Sequence, residues 1–305
     1  MPSNPSDMEA RVSHIDPRIP SGLSPHRERV RWRRSIRRVL RLRVLLPAAV
    51  AAIIVIFLLA PIVTVILASF TASDYIAFPP ELPFSLHWYQ EFARDPVYRS
   101  SLANSILVAS IMAVVAVVIG TLGAVGLTRR SFRREGALYF ALFLPFLVPG
   151  IVLGVGLSVS LGPLGIEAIR GSYAVLVVAH LLWATPLVFV VMVSVLRDAG
   201  TDLEAAAMVL GASPVRVLRE VTLPLVRSGL AASLILAFVI SLHEFIMALF
   251  LVGPDTTTLP VVVWNSLKYE ARPIIAAIDS VMVGSVVVAL IAMAKLVGLD
   301  KLTVR

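Results

Sequence analysis

Apolar residues fall along this chain in long unbroken blocks, with the polar residues gathered in the intervals between them. A block of about twenty apolar residues crosses a hydrocarbon core about 30 Å thick, and a helix satisfies its own backbone there. Six such blocks predict spanning helices over 45–69, 103–127, 137–160, 173–196, 229–252 and 274–297. Pro145 and Pro149-Gly150 break the third, and Asp279 and Lys295 interrupt the last. The first block is too long for a signal-peptide core and no small-residue cleavage pattern follows it, so it reads as a retained anchor. The expected fold class is an all-α membrane protein with six transmembrane helices.

Composition agrees, with 58% hydrophobic residues and a mean hydropathy of +0.90. The absence of cysteine excludes disulfides and thiolate metal sites. A net charge of +8 raises nucleic acid as a partner until its placement is considered. With the N-terminus inside, 22 of the 27 Lys and Arg fall on inner segments, which puts both termini in the cytoplasm and accounts for the charge without nucleic acid. The run "RERVRWRRSIRRVLRLR" (27–43) suits anionic lipid headgroups. Three regions are expected: a basic, largely disordered cytoplasmic tail over 1–44, a transmembrane domain over 45–298, and a cytoplasmic tail over 299–305. Between the first two spans, 71–100 reads as an outer cap with one amphipathic helix near Leu86–Phe92, with Trp88 and Tyr89 at the membrane interface.

The most informative polar interval is the cytoplasmic loop 197–228, which includes "DLEAAAMVLGASPVRVLREVTLPLVRSG". Thr201 and Glu204 have capping-box spacing, so a short helix is expected to start there and stop at Gly211. Ser213-Pro214 restarts the chain as N-cap and first helical residue, and a second helix is expected to reach Leu223-Pro224. Glu204 is thereby expected to act mainly as a cap. Two such helices suit either a pair resting on the bilayer or a rigid knob for a groove on a partner.

The loop resembles the signature loop of permease subunits in bacterial binding-protein-dependent ABC importers: Glu-Ala-Ala, three residues, Gly, nine residues, Ile, any residue, Leu-Pro. Gly211, Val221, Leu223 and Pro224 stand at the later places, with Val for Ile. Ala205-Ala206-Ala207 stands where Glu-Ala-Ala would be, and Glu204 is one position early. "FSLHWYQEFARDPVYRSSLANSILVA" (84–109), "LPFLVPGIVLGVGL" (144–157) and "GPDTTTLPVVVWNSLKYEARPIIAAI" (253–278) are similar to the spermidine/putrescine-type branch. The resemblance covers nearly everything after residue 45. It implies a type I importer permease fold in the bacterial inner membrane and a second homologous permease forming a heterodimer. It also implies two ATP-binding subunits that hold ATP and Mg, and an extracytoplasmic solute-binding protein. Glu204, Ala205, Ala206, Ala207, Gly211, Ser213, Pro214, Val221, Leu223 and Pro224 would then form the loop that couples to the ATPases.

An ionisable residue inside a span needs a reason, because it costs about 2.5–3.5 kcal/mol on insertion scales. Glu244, beside His243, is read either as bonded to a neighbouring helix or as facing a water-filled pathway. Asp279 sits nearer the outside. His180 and Trp183 share a helix face and read first as packing residues. Asn104, Trp183, His243, Glu244 and Asp279 together are the candidate pathway residues. No phosphate-binding loop, zinc helix or nucleophile elbow is present, so the chain is expected to be a transport subunit and not an enzyme, with no cofactor of its own. The expected function is ATP-driven import of a small solute, with a polyamine-like or other cationic or zwitterionic organic solute favoured. The alternative is an ion-coupled secondary transporter using Glu244.

Overall fold

The computed structural model describes residues 25–76, 79, 83–130, 133–164, 166–269 and 272–297, with side chains from residue 47 onward. The expectations for tails over 1–24 and 299–305 lie outside the described residues. The chain divides into units 1–61 and 62–305.

The first helix, α1, runs over Pro25–Ala68. The arginine-rich stretch 27–43 is thus helical. Its residues explain this: no proline or glycine falls between Pro25 and Pro47, and Pro25 occupies the first helical position, where its missing N–H costs nothing.

The second unit contains α2 (His87–Arg94), α3 (Pro96–Arg129), α4 (Glu135–Leu147), α5 (Gly150–Ser160) and α6 (Tyr173–Ala199). It continues with α7 (Asp202–Val209), α8 (Pro214–Leu225), α9 (Arg227–Leu242), α10 (Ala248–Leu251), α11 (Leu259–Tyr269) and α12 (Ile274–Val297). Four helices are long and apolar enough to span alone: α1, α3, α6 and α12. The pairs α4–α5, bent by 87°, and α8–α9, bent by 74°, bring the number to as many as six. The α4–α5 bend lies where expected. Pro149 has no N–H to continue α4 and instead precedes α5, so the backbone turns there. The fifth expected span, 229–252, departs from expectation: its helix stops at Leu242, and the backbone is broken before the short α10.

Asp95 starts α3 by accepting from the N–H groups of Val97 and Tyr98 through its carboxylate, at 2.7 and 3.4 Å, with Pro96 next in line. One face of α3 is lined by small buried residues, Ala109, Ala113, Ala116, Gly120 and Ala124, which recur at helical spacing. This face lets α6 approach closely, as small residues do between membrane helices, and it shares a buried cluster with Val188, Phe189, Met192 and Leu196.

The outer cap also needs a correction. Trp88 on α2 is 1% exposed, and it packs inside the protein in a cluster with Leu259, Ile274 and Ile278, so its ring is not presented to lipid headgroups. The Arg272 guanidinium sits 5.2 Å from the centroid of its ring and pairs with Glu91 at 2.9 Å. Tyr89 is half-buried, and its hydroxyl is 2.6 Å from that of Ser69.

A Cβ at Gly120 would lie 2.7 Å from a Val188 methyl and 3.1 Å from the Phe189 backbone nitrogen. Gly120→Val should therefore cost about 1–3 kcal/mol by overpacking and lower the melting temperature of the detergent-purified protein. Gly126→Ala meets nothing within 4 Å and should melt like the wild type.

Candidate functional site

Two polar constellations stand out in the second unit: the loop that joins α6 to α9, and a set of buried groups at the break after α9. In the loop, Gly200 ends α6 at φ +69°. Thr201 then precedes α7, but its side chain makes no capping bond, so the expected capping box does not form. Glu204 points elsewhere. Its carboxylate receives two parallel hydrogen bonds from Arg129 at the end of α3, at 2.8 and 2.9 Å, and a third from the Thr222 hydroxyl at 2.8 Å. A charged fork offers a carboxylate more than a single cap bond does, which is why the cap gives way. Neither Arg129 nor Thr222 is near Glu204 in sequence.

The end of α7 follows expectation closely. Ala212 N–H donates to Ala207 O and Gly211 N–H to Met208 O, both at 3.0 Å, which is the Schellman pattern with Gly211 in the left-handed region at φ +89°. Ser213 caps α8 by accepting from Arg216 N–H at 3.4 Å, and Pro214 follows it. The chain passes through Pro224 without stopping, because Leu218–Thr222 forms a π-turn in which Leu223 N–H bonds to Leu218 O. The i+5 pattern sits just upstream of Pro224, the one residue that cannot donate. Ala205 and Ala206 are exposed, and Ala207, Val221 and Leu223 are half-buried. Val209 and Leu210 at the tip are 88% and 89% exposed.

At the other constellation, Glu244 is buried. Its two carboxylate oxygens accept from Met247 N–H at 2.7 Å and Ala248 N–H at 3.0 Å, two donors freed where the helix breaks. His180 on α6 brings Nε2 to 3.2 Å from Glu244 Oε2. The two atoms are close but lack the alignment of a hydrogen bond. Its Nδ1 lies 2.7 Å from the Ser241 hydroxyl. The pairing of His180 with Glu244 is the main site feature that sequence reasoning missed. The available signal was a histidine inside an apolar span, which needs a polar partner on another helix.

The remaining candidates are dispersed. His243 places Nδ1 2.9 Å from Val239 O and Nε2 3.3 Å from Met282 O, linking the end of α9 to α12. Asp279 is half-buried on α12, one turn before Met282, and makes no hydrogen bond or ion pair among the described residues. The Asn104 amide donates to Asp255 O and Thr257 O, both at 3.0 Å, and its oxygen accepts from the Tyr173 hydroxyl at 2.8 Å. Its polar capacity is thus used to hold the loop before α11. Trp183 packs over Gly150, where a Cβ would lie 3.1 Å from its ring. Among the described residues, no three His, Asp or Glu side chains come together in a way that could hold a metal ion.

Residues 116–298 match the family described as binding-protein-dependent transport system inner membrane component. The putrescine transport system permease protein PotI of Escherichia coli K12 is 33% identical over 235 residues, covering 75% of this chain and 83% of that protein. The spermidine/putrescine transport system permease protein PotC of the same organism is 29% identical over 246 residues, covering 80% and 90%. Among solved structures, a bacterial ABC transporter that imports the acidic polysaccharide alginate superposes with a TM-score of 0.65 at 14% identity. That match covers 89% of this chain and 100% of the other. A complex of the alginate transporter with its pentasaccharide-bound periplasmic protein gives 0.62 at 15% identity, covering 87% and 95%. At such identity the structures establish the fold alone.

No atom lies within 4 Å of a Cβ built at Gly211, so only backbone strain opposes substitution there. Gly211→Val should misalign α7 and α8 and open the segment around residue 211 to limited proteolysis at unchanged membrane insertion. Gly211→Asn, which tolerates a left-handed backbone, should remain close to wild type. Equal protease resistance for Gly211→Val would refute the turn.

Proposed function

The chain belongs to the family of binding-protein-dependent transport system inner membrane components, and we propose that it serves an importer of polyamine-like organic cations. It is a multi-pass inner-membrane permease subunit of an ABC importer, a transport component and not an enzyme. The observation that carries its mode of action is the folded loop between α6 and α9. Two short helices are fixed by Gly211 and anchored by Glu204, and they present Val209 and Leu210 almost fully exposed at the tip. An apolar tip on a rigid support suits insertion into a groove on another protein. We assign the groove to one of two cytoplasmic ATP-binding subunits, which bind ATP and Mg and supply the energy. The excess of Lys and Arg on this side of the spans supports the cytoplasmic placement. A second homologous permease completes the pathway, and an extracytoplasmic binding protein delivers the solute.

The solute class rests on the two polyamine permeases at 33% and 29% identity and on the carboxylates of the membrane domain. Of these, Glu244 is engaged by His180 and two backbone N–H groups. It contributes to the pathway by holding the break after α9 in shape, with His243 tying that break to α12. Asp279 has no such partner among the described residues, and an unpaired carboxylate in low-dielectric surroundings attracts cations. We assign the direct contact with the solute to Asp279. Asn104 and Trp183 shape the pathway walls.

The test uses the whole complex reconstituted in liposomes with its cognate binding protein. Putrescine or spermidine should stimulate ATP hydrolysis. Asp279→Asn should raise the KM for polyamine uptake about tenfold, equivalent to about 1.4 kcal/mol of lost interaction. Stimulation by an anionic or neutral ligand with no response to polyamines would overturn the solute class and leave the importer assignment intact. An unchanged KM for Asp279→Asn would remove that residue from the pathway.

A further inference from the structure

We infer that Arg129 is the positioning residue of the coupling loop, and that Glu204 acts on Arg129 inside this chain and not on a partner subunit. The inference rests on the loop being the docking element of an ABC importer.

Arg129 closes α3, where its guanidinium meets two other elements. Nε and Nη2 donate to the two oxygens of Glu204 on α7 at 2.8 and 2.9 Å. Nη1 donates to Leu196 O at 3.2 Å and Nη2 also to Gly200 O at 3.0 Å. Those carbonyls belong to the last turn of α6 and the residue after it, which a helix leaves without intrahelical partners and which attract a cation. From the far side, the Thr222 hydroxyl in the π-turn of α8 donates to the same Glu204 carboxylate. Four segments therefore converge on one ion pair: the ends of α3 and α6 and both loop helices.

The setting distinguishes this pair from its neighbours. The side chains of Arg129 and Glu204 are 16% and 9% exposed. The nearby pairs Arg197–Glu135 and Arg216–Glu220 are 57%/47% and 66%/61% exposed, and exposed pairs of that kind contribute little. The buried pair has bidentate geometry that a planar guanidinium can satisfy and an ammonium cannot. Both oxygens of Glu204 are occupied within the chain, so a displacement applied to the Val209–Leu210 tip passes through Glu204 and Arg129 to α3 and α6.

A double-mutant cycle on the complete complex, with its binding protein and in liposomes, tests the inference. Arg129→Gln, Glu204→Gln and the double variant are compared by the ratio of binding-protein-stimulated to basal ATP hydrolysis and by solute imported per ATP hydrolysed. Either single change should lower both quantities about tenfold, and the double variant should be no worse than the worse single, because each change removes the same contact. Arg129→Lys should recover only part of the loss. Losses that multiply in the double variant would overturn the inference, since Glu204 would then act on a partner independently of Arg129. So would wild-type coupling in Arg129→Gln. Co-purification with the ATP-binding subunits is measured in parallel. Failure of assembly in Arg129→Lys and Glu204→Asp alike would reduce the pair to a folding requirement and reject the positioning role. Absence of co-purification or ATP hydrolysis in the wild type would instead refute the importer reading itself.

Discussion

A bilayer core offers no water to a free backbone N–H or C=O, and the construction of this protein follows from that constraint. Several departures from regular helix are matched by a side chain that takes up the backbone groups they release. Glu244 receives the N–H groups of Met247 and Ala248 after α9 breaks. Ser105 accepts from Leu259 N–H at the start of α11, and Asn104 takes two carbonyls of the preceding loop. Arg129 does the same for the carbonyls at the end of α6. The polar residues of the membrane domain are therefore mostly repairs to interrupted helices. Asp279, a carboxylate with no hydrogen bond or ion pair among the described residues, is not used in this way.

The same constraint decides what could be read along the chain. Apolar blocks are long and local, so the spans and the proline break between α4 and α5 were legible without coordinates. The turn at Gly211 and the start at Ser213-Pro214 were legible for the same reason, since each depends on three or four consecutive residues. The end of α9 at Leu242 was not legible. No proline falls within 229–252, and the polar pair His243-Glu244 does not by itself announce a break; the residue that meets Glu244 there, His180, lies 64 positions earlier. The partner of Glu204 was hidden similarly: Thr201 is the local choice, and Arg129, 75 positions away, is the better one. Trp88 was misplaced because an aromatic in an outer cap suits the membrane interface by composition, whereas Ile274, Ile278 and Arg272 draw it inward.

A shared architecture does not fix the cargo. The alginate importer shares the architecture with a TM-score of 0.65 at 14% identity and carries an acidic polysaccharide, whereas the permeases with closer sequences are named for putrescine and spermidine. The architecture provides the spans and the folded loop between α6 and α9.

The π-turn at Leu218–Thr222 has a consequence for how loop and span can vary. An ordinary helix advances about 100° per residue, so a turn closed over five residues instead of four shifts the angular phase of everything that follows. Within α8 the wide turn brings Thr222 round to Glu204, and the 74° bend before Arg227 then sets the direction of α9 separately. The exposed tip at Val209 and Leu210 can therefore vary without rotating Ser241 and Glu244 away from α6. In this sense the wide turn and the bend together decouple the phase of the exposed loop from that of the buried helix that follows it.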